Sequence, residues 1–328
     1  MDRILSGIQP TGSFHLGNYL GAIKNWVDLQ NRGDFECFYC IVDLHALTLR
    51  PSADELRGQV ASMAVALLAS GLDPERSVLF VQSAVPEHAE LCWILGCMTQ
   101  LGDLNRMTQF KDKAEQGVEL ANAGLYSYPV LQAADITLYR ASHVPVGEDQ
   151  EQHLELTREI VRRFHHHYGR IFPEPRVVRS HAPRVIGLDG AKKMSKSLGN
   201  HIGVLEDPGA IMKKLRGAKT DPQRLRRNDP GRPEVCNIWS LHRFFTDEDT
   251  QGEIHEGCTT AAIGCVECKK ILCRGITAVT EPIRARAGTL EKRPDTIRDV
   301  LYKGNSKASE EARMTMDLVR RETGLWHE

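Results

Sequence analysis

The sequence predicts a doubly wound α/β domain with a parallel sheet, followed by an all-helical domain. Three observations carry this reading. Apolar runs and amphipathic stripes alternate strand, helix, strand, helix, strand over about the first eighty residues. The run from Cys37 to Leu44 (CFYCIVDL) is almost continuously apolar, as in a parallel strand buried on both faces. Past Asn200 the strand signal largely disappears and helical patterns take over. We assign residues 1–203 to the α/β domain, with a helical insertion around 101–175, and residues 204–328 to the helical domain.

The chain opens with RILSGIQPTGSFHLGNYLG, Arg3 to Gly21. Ile4 and Leu5 begin a strand, and Pro10, Thr11 and Gly12 punctuate a turn. Leu16, Leu20, Ile23 and Val27 are spaced to share one helical face. A helix start carries partial positive charge and unpaired N–H groups, which suits a phosphate. His15 and Asn18 stand in that first turn, and Gly17 lets a ligand approach the backbone. Ser52 and Glu55 have the spacing of a capping box, and Leu56, Val60, Met63 and Leu67 form the next buried stripe. Val78 to Val81 is the following strand. Ligands in such folds sit at the strands' C-terminal ends, here Gly7–Gln9 and Asp43–His45.

Leu101 to Asn122 turns polar, with Lys111 and Lys113, and reads as an insertion near the site. Pro129 opens a helix carrying Asp135, and His143 to Val146 is a short strand. Gly147 to Gln150 turns into a helix reaching Phe164, and His165 to His167 form its solvated end. Helices are expected at Pro208–Gly217, Ile238–Phe245, Glu267–Arg286 and Ser306–Arg321, with Gly324 as a stop.

At 328 residues, 41% hydrophobic and 26% charged, the chain is ordinary globular material. A formal charge of −1 excludes a global cationic field, so nucleic-acid contacts would rest on local clusters such as Arg224, Arg226 and Arg227 or Lys269, Lys270 and Arg274. Met1-Asp2-Arg3 runs straight into the first strand, without a secretory signal. The longest apolar run, Met63 to Ala69, is too short for a bilayer. We expect a soluble, cytoplasmic protein with no membrane partner. Nine cysteines argue for metal chemistry rather than a disulfide framework. Cys37 and Cys40 point to opposite faces of a strand and read as core, as do Cys92 and Cys97.

His-Leu-Gly-Asn alone is a weak signal, arising by chance in roughly one such chain in a hundred. Lys193-Met194-Ser195-Lys196-Ser197, in a glycine-flanked loop, is far rarer, at about one chain in ten thousand. This pair resembles the two signature motifs of class I aminoacyl-tRNA synthetases. The segments SGIQPTG, YPVLQAADI (128–136) and VPVGEDQ (144–150) resemble the bacterial tryptophanyl-tRNA synthetases, and the likeness runs through most of the chain.

The resemblance implies a Rossmann-type catalytic domain, a helical anticodon-binding domain and two chemical steps. The carboxylate of L-tryptophan attacks the α-phosphorus of ATP and displaces pyrophosphate. The terminal ribose of tRNA(Trp) then takes the aminoacyl group. Positioning and charge stabilisation dominate such chemistry, and no protein nucleophile is needed. Lys193 and Lys196, with Ser195, His15 and Asn18, are the implied catalytic residues, aided by Mg2+. The ATP site would take Gln9, Pro10, Thr11, Gly17, Asn18, Gly147, Glu148, Asp149, Val185, Met194 and Ser197, together with Lys193, Ser195 and Lys196. Lys111 is a weaker candidate.

Indole offers one N–H donor and no acceptor, so a pocket selecting it needs one well-placed acceptor, for which we take Asp135. The alternative is a surface carboxylate paired with Arg140. Tyr128, His45, Gln132 and Gln150 are its expected neighbours. Leu5 stands where family members often carry a larger aromatic residue.

Cys236, Cys258, Cys265 and Cys268 give C-x21-C-x6-C-x2-C. Four thiolates can hold zinc or an iron–sulfur cluster. A subset of bacterial tryptophanyl-tRNA synthetases is similar over GCTTAAIGCVEC (257–268) and carries a four-iron, four-sulfur (4Fe-4S) cluster, which we rank above zinc and above free cysteines. Its role would be structural, with Lys269 and Lys270 adding phosphate contacts. Cys273 lies outside the set. The family also implies a homodimer. Three other readings stay open: a tyrosyl-tRNA synthetase, a cluster-bearing regulatory protein on a relic nucleotide fold, and a nucleotidyltransferase.

Overall fold

The computed structural model describes residues 1–11, 14–107, 122–147, 150–179 and 185–326. The chain divides into two compact units: Met1–Gly12, Asn25–His181 and Arg293–Glu328 form the first, Ser13–Lys24 and Ala182–Lys292 the second. This departs from a single boundary after residue 203. Two long-range ties explain it, one at each end of the chain. The start of the first helix is held by Leu16 N–H on Ile202 O (2.9 Å) and by Val204 N–H on Phe14 O (3.1 Å). The last helix buries its apolar stripe in the first unit.

The first unit is built on five parallel strands: β1 (Asp2–Ile8), β2 (Phe35–Ile41), β3 (Ser77–Val81), β4 (His143–Val146) and β5 (Arg176–Arg179), in the order β3-β2-β1-β4-β5. The direction reverses at β1, whose neighbours β2 and β4 carry the segments that follow their C-terminal ends. β5 was not anticipated from the sequence. The helix after β1 is not continuous. A short α1 (Leu16–Asn18) passes through a π-helical turn (Tyr19–Ile23) into α2 (Lys24–Arg32). The wider turn shifts the phase of the expected stripe, so Leu16, Ile23, Trp26 and Leu29 are buried while Leu20 and Val27 are only half-buried. Trp26 stacks on Tyr39 of β2 at 4.7 Å between ring centroids.

Next come α3 (Asp43–Ala46), α4 (Ala53–Ala69), α5 (Glu87–Met98), α6 (Leu101–Asn105), α7 (Ala123–Leu138) and α8 (Glu151–His167). The capping box of α4 is present: Glu55 N–H donates to Ser52 Oγ (3.3 Å), and Ser52 N–H to Glu55 Oε2 (2.9 Å). Asn122, accepting Leu125 N–H at 2.9 Å, starts α7 ahead of Pro129, which lies inside the helix rather than opening it. His165 to His167 end α8. Lys111 and Lys113 lie outside the described residues. Cys37 and Cys40 are buried, but Cys92 is half-buried and Cys97 exposed, because α5 turns that face outward.

The second unit holds α9 (Pro208–Gly217), α10 (Asn237–Phe245), α11 (Glu248–Thr259) and α12 (Cys265–Glu291). The helix α11 escaped sequence reading because only Ile254 of it is buried, which leaves no stripe to see. Lys269 corrects an expectation. It is buried, and its Nζ donates to the carbonyls of Arg216 (2.9 Å) and Ala218 (3.0 Å), capping the end of α9 instead of meeting phosphate. Cys273 is buried, as its place outside the quartet implied.

The final helix, α13 (Pro294–Thr323), returns to the first unit and covers edge strand β3. Ala308, Ala312, Met316 and Val319 bury one face in the core beside Phe80 and Leu91. Asn305 Oδ1 accepts Val81 N–H at 2.9 Å, satisfying an edge amide that would otherwise invite strand addition. Gly304 makes this contact possible, since a Cβ there would stand 1.8 Å from Leu79 O. Gly304→Ala is expected to lower unfolding stability by about 2 kcal/mol, outweighing the roughly 1 kcal/mol of helix propensity it gains. Urea denaturation checks this, and an unchanged or raised midpoint would refute the close approach.

Candidate active site

In the second unit the loop bearing the lysines is shaped by hydrogen bonds around Asn200, which is buried. Its Oδ1 accepts Ser195 N–H (2.8 Å), and its Nδ2 donates to Asp189 Oδ2 (2.8 Å) and Lys193 O (3.3 Å). Met194 N–H on Val185 O (2.9 Å) and Gly187 N–H on Lys192 O (2.8 Å) close the turn. Gly187 is required beside Asn200, because a Cβ there would lie 2.2 Å from Nδ2. Met194 is buried while Lys193, in an isolated bridge with Ile186, and Lys196, which opens a turn, are exposed. Ser195 and Ser197 share a hydroxyl hydrogen bond of 2.9 Å.

The start of α1 meets this loop. A Cβ on Gly17 would lie 3.4 Å from Met194 Cβ and 2.9 Å from His15 Nδ1. Phe14 and His15 run antiparallel to Gly203 and Val204. His15 caps the helix: its Nδ1 accepts Asn18 N–H (3.3 Å), and Asn18 Oδ1 accepts His15 N–H (3.2 Å). That cap requires a lone pair on Nδ1, so the ring is neutral with its proton on Nε2. Burial first, then the nearby charges of His201 and Lys193, lower its pKa to about 4. The amides of Leu16 and Asn18 are thus used within the fold, which the sequence reading did not foresee. The residues brought together here are His15, Gly17, Asn18, Met194 and the two lysines flanking Met194 on its loop.

In the first unit Gln9 O accepts Thr11 N–H (2.9 Å), turning the chain after β1; Pro10 is buried and Thr11 exposed. Gly147 O accepts Gln150 N–H (3.0 Å) after β4, while Glu148 and Asp149 lie outside the described residues. Leu5 belongs to the core of the sheet. Val185, buried in the second unit, contributes its carbonyl to the lysine loop.

Asp135 is a buried carboxylate of the first unit with three side-chain donors. It is 4% exposed and makes no pair with Arg140, whose backbone is left-handed just past the end of α7. Oδ1 accepts from Gln82 Nε2 and from His88 Nδ1, both at 2.7 Å, and Oδ2 accepts from His45 Nε2 at 2.8 Å. Burial alone would raise its pKa, but the His45 and His88 hydrogen bonds outweigh it and hold the carboxyl well below the usual carboxylate range. Each donor is held in turn. Gln82 Oε1 accepts Leu44 N–H (3.1 Å), and His88 Nε2 pairs with Tyr139 Oη (2.8 Å). Asp43 accepts Ser83 N–H (2.9 Å), locking the ends of β2 and β3 together. Tyr128 Oη pairs with His153 Nε2 (2.6 Å), and its ring stands edge-on to His45 at 6.1 Å. Gln132 and Gln150 are half-buried.

Gln82, His88, Tyr139 and Asn200 were missed from sequence. Signals for two of them existed. His88 occupies a core position in the stripe with Leu91 and Leu95, and Gln82 ends a buried strand, where ligands of this fold are met.

The quartet lies in the second unit: Cys236 precedes α10, Cys258 is on α11, and Cys265 and Cys268 begin α12. Burial, then charge on Cys236, Cys258 and Cys265, pushes the Cys268 thiol up to about 12, so the four share one neighbourhood. Arg224 Nη1 donates to Cys258 Sγ (3.5 Å), and His242 Nε2 lies 3.3 Å from Cys268 Sγ. Among the described residues no group of three or more His, Cys, Asp or Glu side chains is arranged to hold a metal ion.

The lowered pKa of His15 has a consequence for stability. Between about pH 6.5 and 4 the unfolded chain binds a proton that the folded ring refuses, so stability falls as pH falls through that window. His15→Asn keeps a capping side chain but cannot titrate. It is expected to lose less stability than the wild type between pH 7 and 5 in urea titrations, and equal losses would refute the neutral cap.

The family model described as "tRNA synthetases class I (W and Y)" matches residues 2–279. The tryptophan–tRNA ligase of Deinococcus radiodurans is 51% identical over 328 residues, covering 99% of each chain, and that of Thermotoga maritima is 44% identical over 327 residues, covering 98% of this chain and 99% of its own. Among solved structures, tryptophanyl-tRNA synthetase from Campylobacter jejuni complexed with ADP and tryptophan superposes with a TM-score of 0.89 at 36% identity, covering 98% of this chain and 100% of its own. A tyrosyl-tRNA synthetase from Archaeoglobus fulgidus, 24% identical with a TM-score of 0.68, shares the fold. With these matches running nearly end to end, the chain belongs to the class I tRNA synthetases of the tryptophan and tyrosine family.

Proposed function

We propose that this chain is a tryptophan–tRNA ligase, which activates L-tryptophan with ATP to tryptophanyl-adenylate and pyrophosphate and then transfers tryptophan to tRNA(Trp). The observation that carries the choice of amino acid is the caged carboxylate of Asp135. An ionised carboxylate has about four acceptor positions. Gln82 and His88 take both on Oδ1, and His45 takes one on Oδ2. One acceptor position on Oδ2 then serves one donor, which is what indole presents. Phenylalanine would leave that charge under-solvated. Tyr128, His45, Gln132, Gln150 and Leu5 form the rest of the proposed tryptophan pocket.

ATP would be held by Gln9, Pro10, Thr11, Gly17, Asn18, Gly147, Glu148, Asp149, Val185 and the 193–197 loop. Lys193 and Lys196, on either side of an anchored Met194, neutralise charge on the β- and γ-phosphates together with Mg2+. His15, held neutral by its surroundings, can donate Nε2–H to a phosphoryl oxygen without repelling the lysines. The cationic groove lined by Arg226, Arg227, Lys270 and Arg274 supports tRNA binding by the second unit. A homodimer and a cytoplasmic location belong to the same family-based proposal; among the described residues no helix is long and apolar enough to cross a membrane.

Cys236, Cys258, Cys265 and Cys268 would hold the group, with a 4Fe-4S cluster ranked above zinc on the likeness of residues 257–268 to cluster-bearing members of the family. Burial first, then neighbouring charges, raises the Cys258 and Cys268 thiols, which a shared cationic centre would help to ionise. Bound, it would cross-link the segment before α10 to α11 and α12.

Asp135→Asn is expected to lower tryptophan-dependent pyrophosphate exchange by about 10- to 100-fold at limiting tryptophan, with the KM for ATP little changed. Equal exchange by mutant and wild type would refute the assignment. Anaerobically purified protein should be brown, with equimolar iron and acid-labile sulfide; zinc in their place would overturn the cluster.

A further inference from the structure

We propose that His88 is a positioning residue for substrate selection, acting through Asp135 to aim one carboxylate oxygen at the indole N–H. The inference rests on the assignment of Asp135 as the indole acceptor and extends it to a residue that cannot itself reach the substrate. His88 is fully buried on α5, packed between the rings of Phe80 (6.1 Å between centroids) and Tyr139 (5.4 Å). Its two ring nitrogens face in opposite directions and both are engaged. The Tyr139 phenol is held protonated, because burial drives its pKa far up. Its O–H therefore donates to His88 Nε2, which leaves the ring proton on Nδ1, where it donates to Asp135 Oδ1.

This chain fixes more than a charge. A carboxylate on a helix can turn about χ2, which tilts the plane of its two equivalent oxygens. With Gln82 and His88 both donating to one oxygen, tilting that plane would break two hydrogen bonds of 2.7 Å inside a buried site. The other oxygen, Oδ2, is therefore held as the substrate-facing acceptor, touched among the described residues only by His45. Gln82 is itself oriented by Leu44 N–H, so its amide cannot flip to offer oxygen to Asp135. His88 and Gln82 together hold the direction of the acceptor, and Asp135 supplies its charge.

The test uses two substrates in pyrophosphate exchange: tryptophan and 3-benzothienylalanine, in which sulfur replaces the indole N–H. The readout is the ratio of their kcat/KM values. His88→Leu should lower kcat/KM for tryptophan by about 100-fold and for the sulfur analogue by less than about threefold, collapsing the ratio. Two polar variants separate position from packing. His88→Asn places an amide N–H near the Nδ1 position and should restore the ratio to within about tenfold of wild type. His88→Gln places its amide near Nε2, where it meets Tyr139 instead, and should not. If the leucine variant fails to fold, the asparagine and glutamine variants decide alone. Parallel losses for both substrates in every variant, or equal ratios in the asparagine and glutamine variants, overturn the proposal. Asp135→Asn in the same assay tests the underlying assignment: a ratio unchanged there sinks the Asp135 reading, whereas a collapsed ratio there with an unchanged one at His88 sinks only the positioning role.

Discussion

A carboxylate buried without partners would cost several kcal/mol, and much of the first unit is arranged so that Asp135 is never in that state. Its three donors come from three places: His45 on α3 after β2, Gln82 in the turn after β3, and His88 on α5. Hydrogen bonds to a charged group contribute about 1.5–3 kcal/mol each, so three of them offset the cost. The same bonds draw the ends of two neighbouring strands towards α7, with Asp43 and Ser83 providing a second tie. The site is therefore rigid because the charge is buried, and the charge is tolerated because the site is rigid.

The lysine loop of the second unit is organised by neutral groups around exposed cations. Asn200 sets the path of the lysine loop and Met194 anchors it in the core, while Lys193 and Lys196 project outward. His15 is kept neutral beside them, which lets it cap α1 and avoids a third positive charge. This division suits phosphoryl chemistry, in which charge must be supplied where it develops and withheld elsewhere. The π-helical turn at Tyr19–Ile23 lies between α1, whose first residues are tied to the second unit, and α2, whose Trp26 packs on the sheet.

The C-terminal segment shows how a helical pattern conceals its destination. From sequence, the stripe of α13 belongs with the other helices after residue 204. Its Ala-rich face and Gly304 instead fit the edge of β3, where Asn305 accepts the Val81 amide. The small residues that make this packing possible are weak periodicity signals.

Local patterns determined a great deal of this protein by themselves. The parallel strands β1 to β3, the capping box of α4, the helices after Asn200 other than α11, the paired loops around His15 and Lys193, and Asp135 as a polar group worth singling out are all legible, because apolar spacing and turn chemistry act over a few residues. Tertiary structure decided what depends on distant partners. Whether Asp135 is solvated or caged rests on residues up to 90 positions away. Whether Lys269 meets phosphate or caps a helix rests on carbonyls more than 50 positions earlier. Which unit claims the last helix is set by a glycine meeting one carbonyl oxygen of an edge strand. Burial converts each of these from a permitted contact into a required one, and burial is a property of the folded chain.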